Sequence, residues 1–376
     1  MTMIYLDYSA TTPTNEEVLN TFVKTSRDFI GNPNSLHSLG VQAKKLMNKA
    51  TEQLANLLHI KAEELIYTSG ATEANNLAIK GIIGKYPNRG KQIITTPLEH
   101  SSVLEPLNKL EKNGYHIRYV KLNEDGTVNM EHLKQLLDEE DTILVSIAMV
   151  SSELGILQPI NKIGELIKKY PKCFFHSDIT QALGKIPVSL EGVDLASFSA
   201  HKFYGIKGIG GLVKKDKVEL EPLFDGGNST TIYRSGTPAL ALIVSLAKAL
   251  RLALETMNPT YVERLNQEIQ TTVQKMPQVF INSTSKSIPH ILNISVYGVK
   301  PETLLHALEE HQIYISTMSA CSSDKAESLA VKTVTHNKEN ATSSIRISLS
   351  VHTTKREVEE FLSIFQSLVE KLRLKG

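Results

Sequence analysis

Between residues 65 and 213, short apolar runs alternate with longer stretches of helical character, and that alternation constrains the fold more than any other feature of the chain. The runs at 65–68, 92–95, 116–122, 142–150 and 173–177 carry β-branched and aromatic residues and suit strands better than helices. Two more follow, DLASFSA at 194–200 and Gly211-Leu212-Val213. Strands separated by helices run in one direction and need cover on both faces. The expected fold class is therefore α/β, a large domain with a mostly parallel sheet of the seven-stranded type covered by helices, plus a smaller C-terminal α+β domain.

Ahead of the sheet, Thr14-Asn15-Glu16-Glu17 reads as a capping box that starts a helix running to about Asp28. Gly31-Asn32-Pro33-Asn34 breaks it, and a long amphipathic helix follows, with Leu46, Met47, Ala50, Leu54, Leu57 and Leu58 at core spacing. A helix over 238–257 links to the smaller domain. That domain reads as a helix, a strand at 290–297, a helix at 301–311, a strand at 313–317, a long polar loop, a strand at 345–349 and a last helix. The expected division is 15–256 for the large domain, with 1–14 and 257–376 forming the small one. There is no internal repeat and no low-complexity tract.

Lys and Arg number 41 against 40 Asp and Glu, a formal net charge of +1. That balance gives no footprint for nucleic acid, so no direct nucleic-acid contact is expected. No apolar run approaches a membrane span, and MTMIYLDYSATT lacks a basic stretch followed by an apolar core, so the expected location is cytoplasmic. With Cys173 and Cys321 far apart, neither a disulfide framework nor a zinc site is expected.

Lys202, in SFSAHKFYGIKGIGG at 197–211, stands behind one strand and ahead of a glycine-rich turn. Ligand groups gather at such strand ends, and a lysine with a lowered pKa can hold an aldehyde cofactor. The alternative is an ordinary solvated lysine. Upstream, the apolar run of KCFFHSDITQALG ends on Asp178 and is followed by Gln181. A carboxylate that keeps a pyridine ring protonated, together with a lysine on its aldehyde, is what pyridoxal phosphate needs, although Asp178 also suits a helix cap. TSGATEANN at 68–76 runs from a strand into a helix, where free N–H groups and the Thr72 hydroxyl suit a phosphate; a plain capped helix is the other reading. His100 opens a further helix, placed to stack on a planar ring or relay a proton. Cys321 lies near the start of the long polar loop, where a thiolate has access, whereas Cys173 sits in an apolar run and reads as inert core.

The motifs YLDYSATTP, GNPNSLHSLG, TSGATE, EH, HSDITQ, SAHKFYGIKGIGG, RSGT, SAC and SSIRISLS occur here in one order, from Tyr5 to the last helix. In that order they resemble the NifS/IscS-like cysteine desulfurases, class V of the aminotransferase superfamily and fold type I pyridoxal-phosphate enzymes. The resemblance implies that Lys202 would hold the cofactor aldehyde, Asp178 would pair with the ring nitrogen, Gln181 would bond the ring oxygen and His100 would stack on the ring and move protons. Ala71, Thr72, Ser199 and His201 would hold the phosphate. Thr237 of RSGT would reach the neighbouring subunit's cofactor, which implies a homodimer. Arg346 and Asn34 would bind the substrate, L-cysteine, with Arg346 on its carboxylate. Cys321 would take the sulfur as a persulfide and pass it to an acceptor protein, an iron–sulfur scaffold or a tRNA-thiolation enzyme.

The chain departs from the family pattern at a few positions. Ser151-Ser152-Glu153 replaces the usual Asn-Asn-Glu, so Ser152 presents a hydroxyl to the cofactor where an amide is customary. Asn228 and Thr230 stand where a glycine and an acidic residue are common, and Met318 replaces a glycine ahead of Ser-Ala-Cys. None of these carries covalent chemistry. They leave open two other readings, a related pyridoxal-phosphate enzyme such as a selenocysteine lyase or an aminotransferase, and a weakly active paralogue that serves as a sulfur-transfer scaffold.

Overall fold

The structure is a computed structural model that describes residues 3–227, 229–317 and 327–373. The strands are β1 (Ile4–Tyr5), β2 (Leu65–Thr68), β3 (Gln92–Thr95), β4 (His116–Tyr119), β5 (Thr142–Ser146) and β6 (Phe174–Asp178). They continue as β7 (Leu195–Ser199), β8 (Gly210–Lys214), β9 (Val279–Ile281), β10 (Ile291–Val296), β11 (Ile313–Tyr314) and β12 (Ser344–Ser348). The helices are α1 (Glu16–Asp28), α2 (Ser38–Leu58), α3 (Ala71–Lys85), α4 (Ser101–Lys112), α5 (Met130–Glu139) and α6 (Ile160–Ile167). After the large sheet come α7 (Leu240–Thr256), α8 (Pro259–Val273), α9 (Pro301–Glu309), α10 (Leu329–Thr335), α11 (Lys338–Thr342) and α12 (Lys355–Arg373).

Seven strands form one sheet in the order β2-β8-β7-β6-β5-β3-β4, parallel throughout except for β8, which runs antiparallel to β2 and β7. Successive side chains on a strand point to opposite faces. Here they feed two separate cores. Ile94, Val145, Phe175, Ala196 and Val213 pack with α2, α5, α6 and α7, while their neighbours Ile93, Leu144, Phe174, Leu195 and Leu212 pack with α3 and α4. A smaller α+β unit has its own core, in which Val262, Ile294, Ile345 and Phe361 meet Ile4 and Leu6 from the start of the chain. It is built on the antiparallel sheet β12-β10-β9, with β1 paired in parallel to β11.

Two local expectations are corrected. The cap of α1 is Asn15, whose side chain accepts from the Glu17 backbone N–H, so the helix starts one residue later than a Thr14 capping box requires. The apolar run 142–150 is strand β5 only as far as Ser146, although Ile147 N–H and Met149 N–H still donate to the β6 carbonyls of His176 at 3.0 Å and Asp178 at 2.9 Å. Ile147 to Val150 are buried because they pass on beneath the site.

Candidate active site

The C-terminal ends of β3, β5, β6 and β7 converge where the strand order reverses, between β3 and β5, which is where open α/β sheets place their ligands. A cavity of about 290 Å3 opens there. Ala71, Thr72, His100, Ser152 and Asp178 line it, together with Gln181, Ser199, His201, Lys202 and Arg346. Residues that the sequence spreads over 71–346 thus meet around one space. A larger depression of about 840 Å3 lies at the opposite strand ends, around Cys173, Gly192 and Lys215, and collects none of these groups.

The anchor of the cavity is Lys202, on the short helical turn that follows β7. Its Nζ donates to the carbonyls of Ser9 at 2.6 Å and Ala10 at 2.9 Å. The N-terminal segment reaches this position because Thr12 N–H donates to the His201 carbonyl at 2.8 Å and Ser348 N–H donates to the Leu6 carbonyl at 2.7 Å. Burial, reinforced by Lys202 and Lys207, pushes His201 down to about 4, so it faces the cavity as a neutral imidazole.

One wall is the N-terminus of α3, whose cap, Gly70, offers no side-chain acceptor. Ala71 N–H donates to Ser199 Oγ at 2.7 Å, which ties this helix end to the end of β7. Unsatisfied N–H groups and the positive end of the helix dipole make this wall attractive to an anion. Close backbone approach makes it possible: a Cβ on Gly210 would stand 2.3 Å from the Phe198 carbonyl oxygen and 2.8 Å from Gly70 Cα.

The far wall is a polar chain. Asp178 Oδ1 accepts from Thr180 N–H at 2.9 Å, and Oδ2 accepts from Asn75 Nδ2 at 2.8 Å. The same Asn75 amide donates to Ser102 Oγ at 2.9 Å. Ser102 in turn meets His100 Nδ1 through its hydroxyl at 2.8 Å and its backbone N–H at 3.1 Å. Because Nδ1 accepts from a backbone N–H, the ring carries its own hydrogen on Nε2. Next to this chain lies Glu99, which accepts from Thr96 Oγ1 at 2.7 Å and from Ala148 N–H at 3.0 Å. Burial, with a contribution from the Asp178 charge, pushes its carboxyl up to about 8.

Arg346, on β12, closes the cavity from the smaller unit and is 1% exposed. Its Nη1 donates to the Ser152 carbonyl at 2.9 Å and its Nη2 to Asp7 Oδ1 at 3.0 Å. Asn34 and Thr237 do not line the cavity. Asn34 Nδ2 donates to Ser229 Oγ at 3.2 Å on the loop before α7. Thr237 lies on that same loop, between Gly236 and Pro238, which border a separate cavity of about 80 Å3. Cys321, Met318 and Asn228 lie outside the described residues. Cys173 is buried, and burial pushes its thiol far up, in keeping with an inert core residue.

Sequence reasoning passed over Asp7, Asn75, Glu99, Ser102 and Lys185. Asp7, Glu99 and Asn75 stand inside quoted stretches, and nothing in composition separates Asn75, Ser102 and Lys185 from surface polar residues. Among the described residues no cluster of His, Cys, Asp or Glu could hold a metal, and no helix is long and apolar enough to cross a membrane.

Fold and cavity together define an open-sheet α/β protein with a lysine amine in the cavity at its strand ends. The chain belongs to the aminotransferase class-V family, whose model matches residues 4–361. It is 38% identical over 378 residues to the cysteine desulfurase IscS of Dictyoglomus turgidum, a match covering 98% of this chain and 95% of that protein. It is 40% identical to a NifS/IcsS protein homolog of Lactobacillus delbrueckii subsp. bulgaricus, with 98% and 97% covered. Among solved structures it resembles a NifS-like protein with a TM-score of 0.92 at 34% identity, covering 98% of this chain and 100% of that one.

Proposed function

We propose that this chain is a pyridoxal-phosphate-dependent cysteine desulfurase that releases L-alanine from L-cysteine and carries the sulfur on Cys321. The observation that carries the reading is the convergence of Lys202, Asp178, His100 and Arg346 on one cavity that also holds an uncapped helix N-terminus. The relatives' names favour this reading over a selenocysteine lyase, an aminotransferase or a weakly active sulfur-transfer scaffold.

The donor set fits the cofactor. Lys202 offers an amine for an aldehyde, Asp178 a carboxylate for a ring nitrogen, and the α3 N-terminus with Thr72, Ser199 and His201 a cradle for a phosphate. Ser9 Oγ and Thr180 Oγ1, both on the cavity wall, are buried without a hydrogen-bond partner among the described residues, as expected of a wall that faces a polar ligand. Bound there, pyridoxal phosphate supplies an electron sink for the substrate's α-carbon.

The remaining work falls to the chain. Arg346 receives the substrate carboxylate, for which its planar fork is suited. Lys202 Nζ would take the α-proton, and His100 presents Nε2–H as a donor. Cys321 follows Ser316 by five residues. Ser316 exchanges backbone hydrogen bonds with Arg346 at 2.7 and 3.2 Å, so the tether starts beside the substrate's carboxylate clamp. Five residues span up to about 18 Å. The Cys321 thiolate attacks the substrate sulfur, the carbon–sulfur bond breaks with its electrons left to carbon, one proton completes the β-methyl group and the α-proton returns from Lys202 to give alanine, and a persulfide remains.

Two further features belong to this reading. Thr237 lies away from its own chain's cavity, as expected if it serves the partner's site in a homodimer. The exposed apolar residues Ile30, Leu36, Leu39 and Ile232 supply a face for that contact. The sulfur acceptor would be a protein, an iron–sulfur scaffold or a tRNA-thiolation enzyme, in the cytoplasm, where the thiol stays reduced.

The test is alanine release from L-cysteine by the purified protein and by Cys321→Ala, with the bound cofactor's absorbance recorded. Desulfuration requires that the wild type release alanine and that Cys321→Ala keep the absorbance but lose turnover. A wild type that binds the cofactor and releases no alanine, even with a reductant present, sinks the proposal.

A further inference from the structure

Lys185 is a buried amine that the reaction outlined above does not use. It is 6% exposed and stands just past Gly184, whose φ of +75° turns the chain tightly at a point where a Cβ would come within 2.8 Å of Phe203 Cβ. That turn brings Lys185 Nζ into a hydrogen bond with Gln181 Oε1. The other end of the Gln181 amide, Nε2, donates to the Ser9 carbonyl at 2.9 Å, the same carbonyl that takes Lys202 Nζ at 2.6 Å. A carbonyl can only accept, so the Ser9 contact fixes which way the amide points, and it leaves Oε1 to accept from the Lys185 amine. Nε2 carries two hydrogens. One goes to Ser9 and the second remains for the cavity that Gln181 lines.

The charges acting on Lys185 are of one sign, whereas Asp178 is the carboxylate among the residues that line the cavity. Among the described residues no carboxylate pairs with Lys185. Burial pushes its amine well below the usual lysine range, and Lys202 and Arg346 act in the same direction. His201 and His290 also feel its charge, and both are held neutral. The carboxylate nearest to Arg346, Asp7, is engaged with that arginine. Where Gln181 faces it, the cavity favours a negatively charged group of an occupant, and Asp178 favours a protonated one.

We propose that Lys185 is a positioning residue: by donating to Gln181 Oε1 it locks the Gln181 amide with Nε2 toward the cavity and strengthens that N–H as a donor to an anionic oxygen on the cofactor ring. The assignment rests on the reading of the cavity as a pyridoxal-phosphate site. A donor held at that oxygen stabilises its anionic form and disfavours the protonated form of the lysine-linked chromophore, so removing the donor or its orientation raises the pH at which the visible absorbance changes.

The experiment compares holoenzymes of the wild type, Lys185→Met, Gln181→Leu and the double variant for cofactor content, thermal unfolding and the pH midpoint of that absorbance change. Each single variant is expected to raise the midpoint by about one pH unit, and the double variant to raise it no further. An unmoved midpoint in a Lys185→Met enzyme with full cofactor content overturns the assignment, as do shifts that add in the double variant. Lys185→Ala, which cannot overfill the site, repeats the comparison. If neither Lys185 variant folds with cofactor, the lysine is structural and the assignment fails. Alanine release by the wild type tests the parent reading separately.

Discussion

Arg346 Nη2 lies 3.0 Å from Asp7 Oδ1, an ion pair that joins β12 to the N-terminal segment at the edge of the cavity. The arginine is 1% exposed, so its charge depends on what the chain places around it. Asp7 is itself held above the ordinary carboxylate range by burial, with Arg346 pulling the other way. Breaking a buried pair from one side leaves an uncompensated charge, at a cost of about 3–5 kcal/mol. Asp7→Ala is therefore expected to lower stability by about that amount in urea unfolding. Arg346→Lys keeps the charge but loses the fork. It is expected to raise the KM for cysteine at least about tenfold while kcat falls less.

A buried carboxylate without a cation gives the fold a pH dependence. Glu99 has its carboxyl pushed up from an ordinary value of 4.5 to about 8. A folded-state value above the unfolded one means that the native chain holds the proton more tightly. The stability so gained is fully present below about pH 4.5 and is lost as pH rises toward 8. Glu99→Gln, whose Oε1 can still accept from Thr96 and Ala148, removes that dependence. The wild type is expected to lose on the order of a few kcal/mol between pH 5 and pH 8 relative to Glu99→Gln, measured by urea unfolding at both pH values. Parallel pH profiles of the two proteins would exclude the effect.

Much of the sheet was legible because its strands are apolar on both faces. Residues such as Ile93 and Ile94 enter different cores, and a short continuous apolar run is the mark of that situation. Ends were less legible. The run through Val150 overshoots because the segment stays buried and keeps bonding to β6 after regular strand geometry ends at Ser146, and Thr14 stands beside Asn15, the residue that caps the helix. The site was legible only as an ordered set of motifs, since no spacing rule links Thr72 to Arg346. Asn75, Ser102 and Lys185 were invisible for a physical reason: a polar residue announces its burial only once the fold has closed over it. Glu99 and Asp7 stood inside motifs, yet their energetic roles come from neighbours 49 and 339 positions away.

An exposed apolar surface is the basis of the third expectation. Leu36 is 97% exposed, with Ile30 at 78% and Ile232 at 63%, and the hydrogen bond from Asn34 to Ser229 holds these two loops together. Apolar groups gathered in this way usually meet a partner. The wild type is expected to scatter light as a dimer. Leu36→Glu, which places a charge on the same face, is expected to shift it to single chains and to lower activity with it. Equal masses for the two proteins would remove this face as the dimer contact.

The last expectation concerns the junction of β8, β7 and α3. Gly210 pairs with Thr68 on one side and Ser199 on the other, which sets it between the two strands whose ends carry the anion-binding wall. A Cβ there would sit 2.3 Å from the Phe198 carbonyl oxygen and 2.8 Å from Gly70 Cα, and both obstacles are backbone that cannot rotate aside. Gly210→Ala must therefore push the start of α3 away from β7 or break the β7–β8 pairing. The first response stretches the bond from Ala71 N–H to Ser199 Oγ, now 2.7 Å, and spoils the geometry of the free N–H groups behind it. The second unfolds the centre of the sheet. Both weaken phosphate binding, so Gly210→Ala is expected to lose at least about tenfold in cofactor affinity, roughly 1.4 kcal/mol, with a lowered unfolding temperature. Gly208, with φ of +90° and open space where a Cβ would stand, makes the control. Gly208→Asn, a residue that tolerates this backbone region, is expected to leave both quantities close to the wild type. If Gly210→Ala binds the cofactor as tightly as that control does, the close approach of β8 to Gly70 does not shape the phosphate wall.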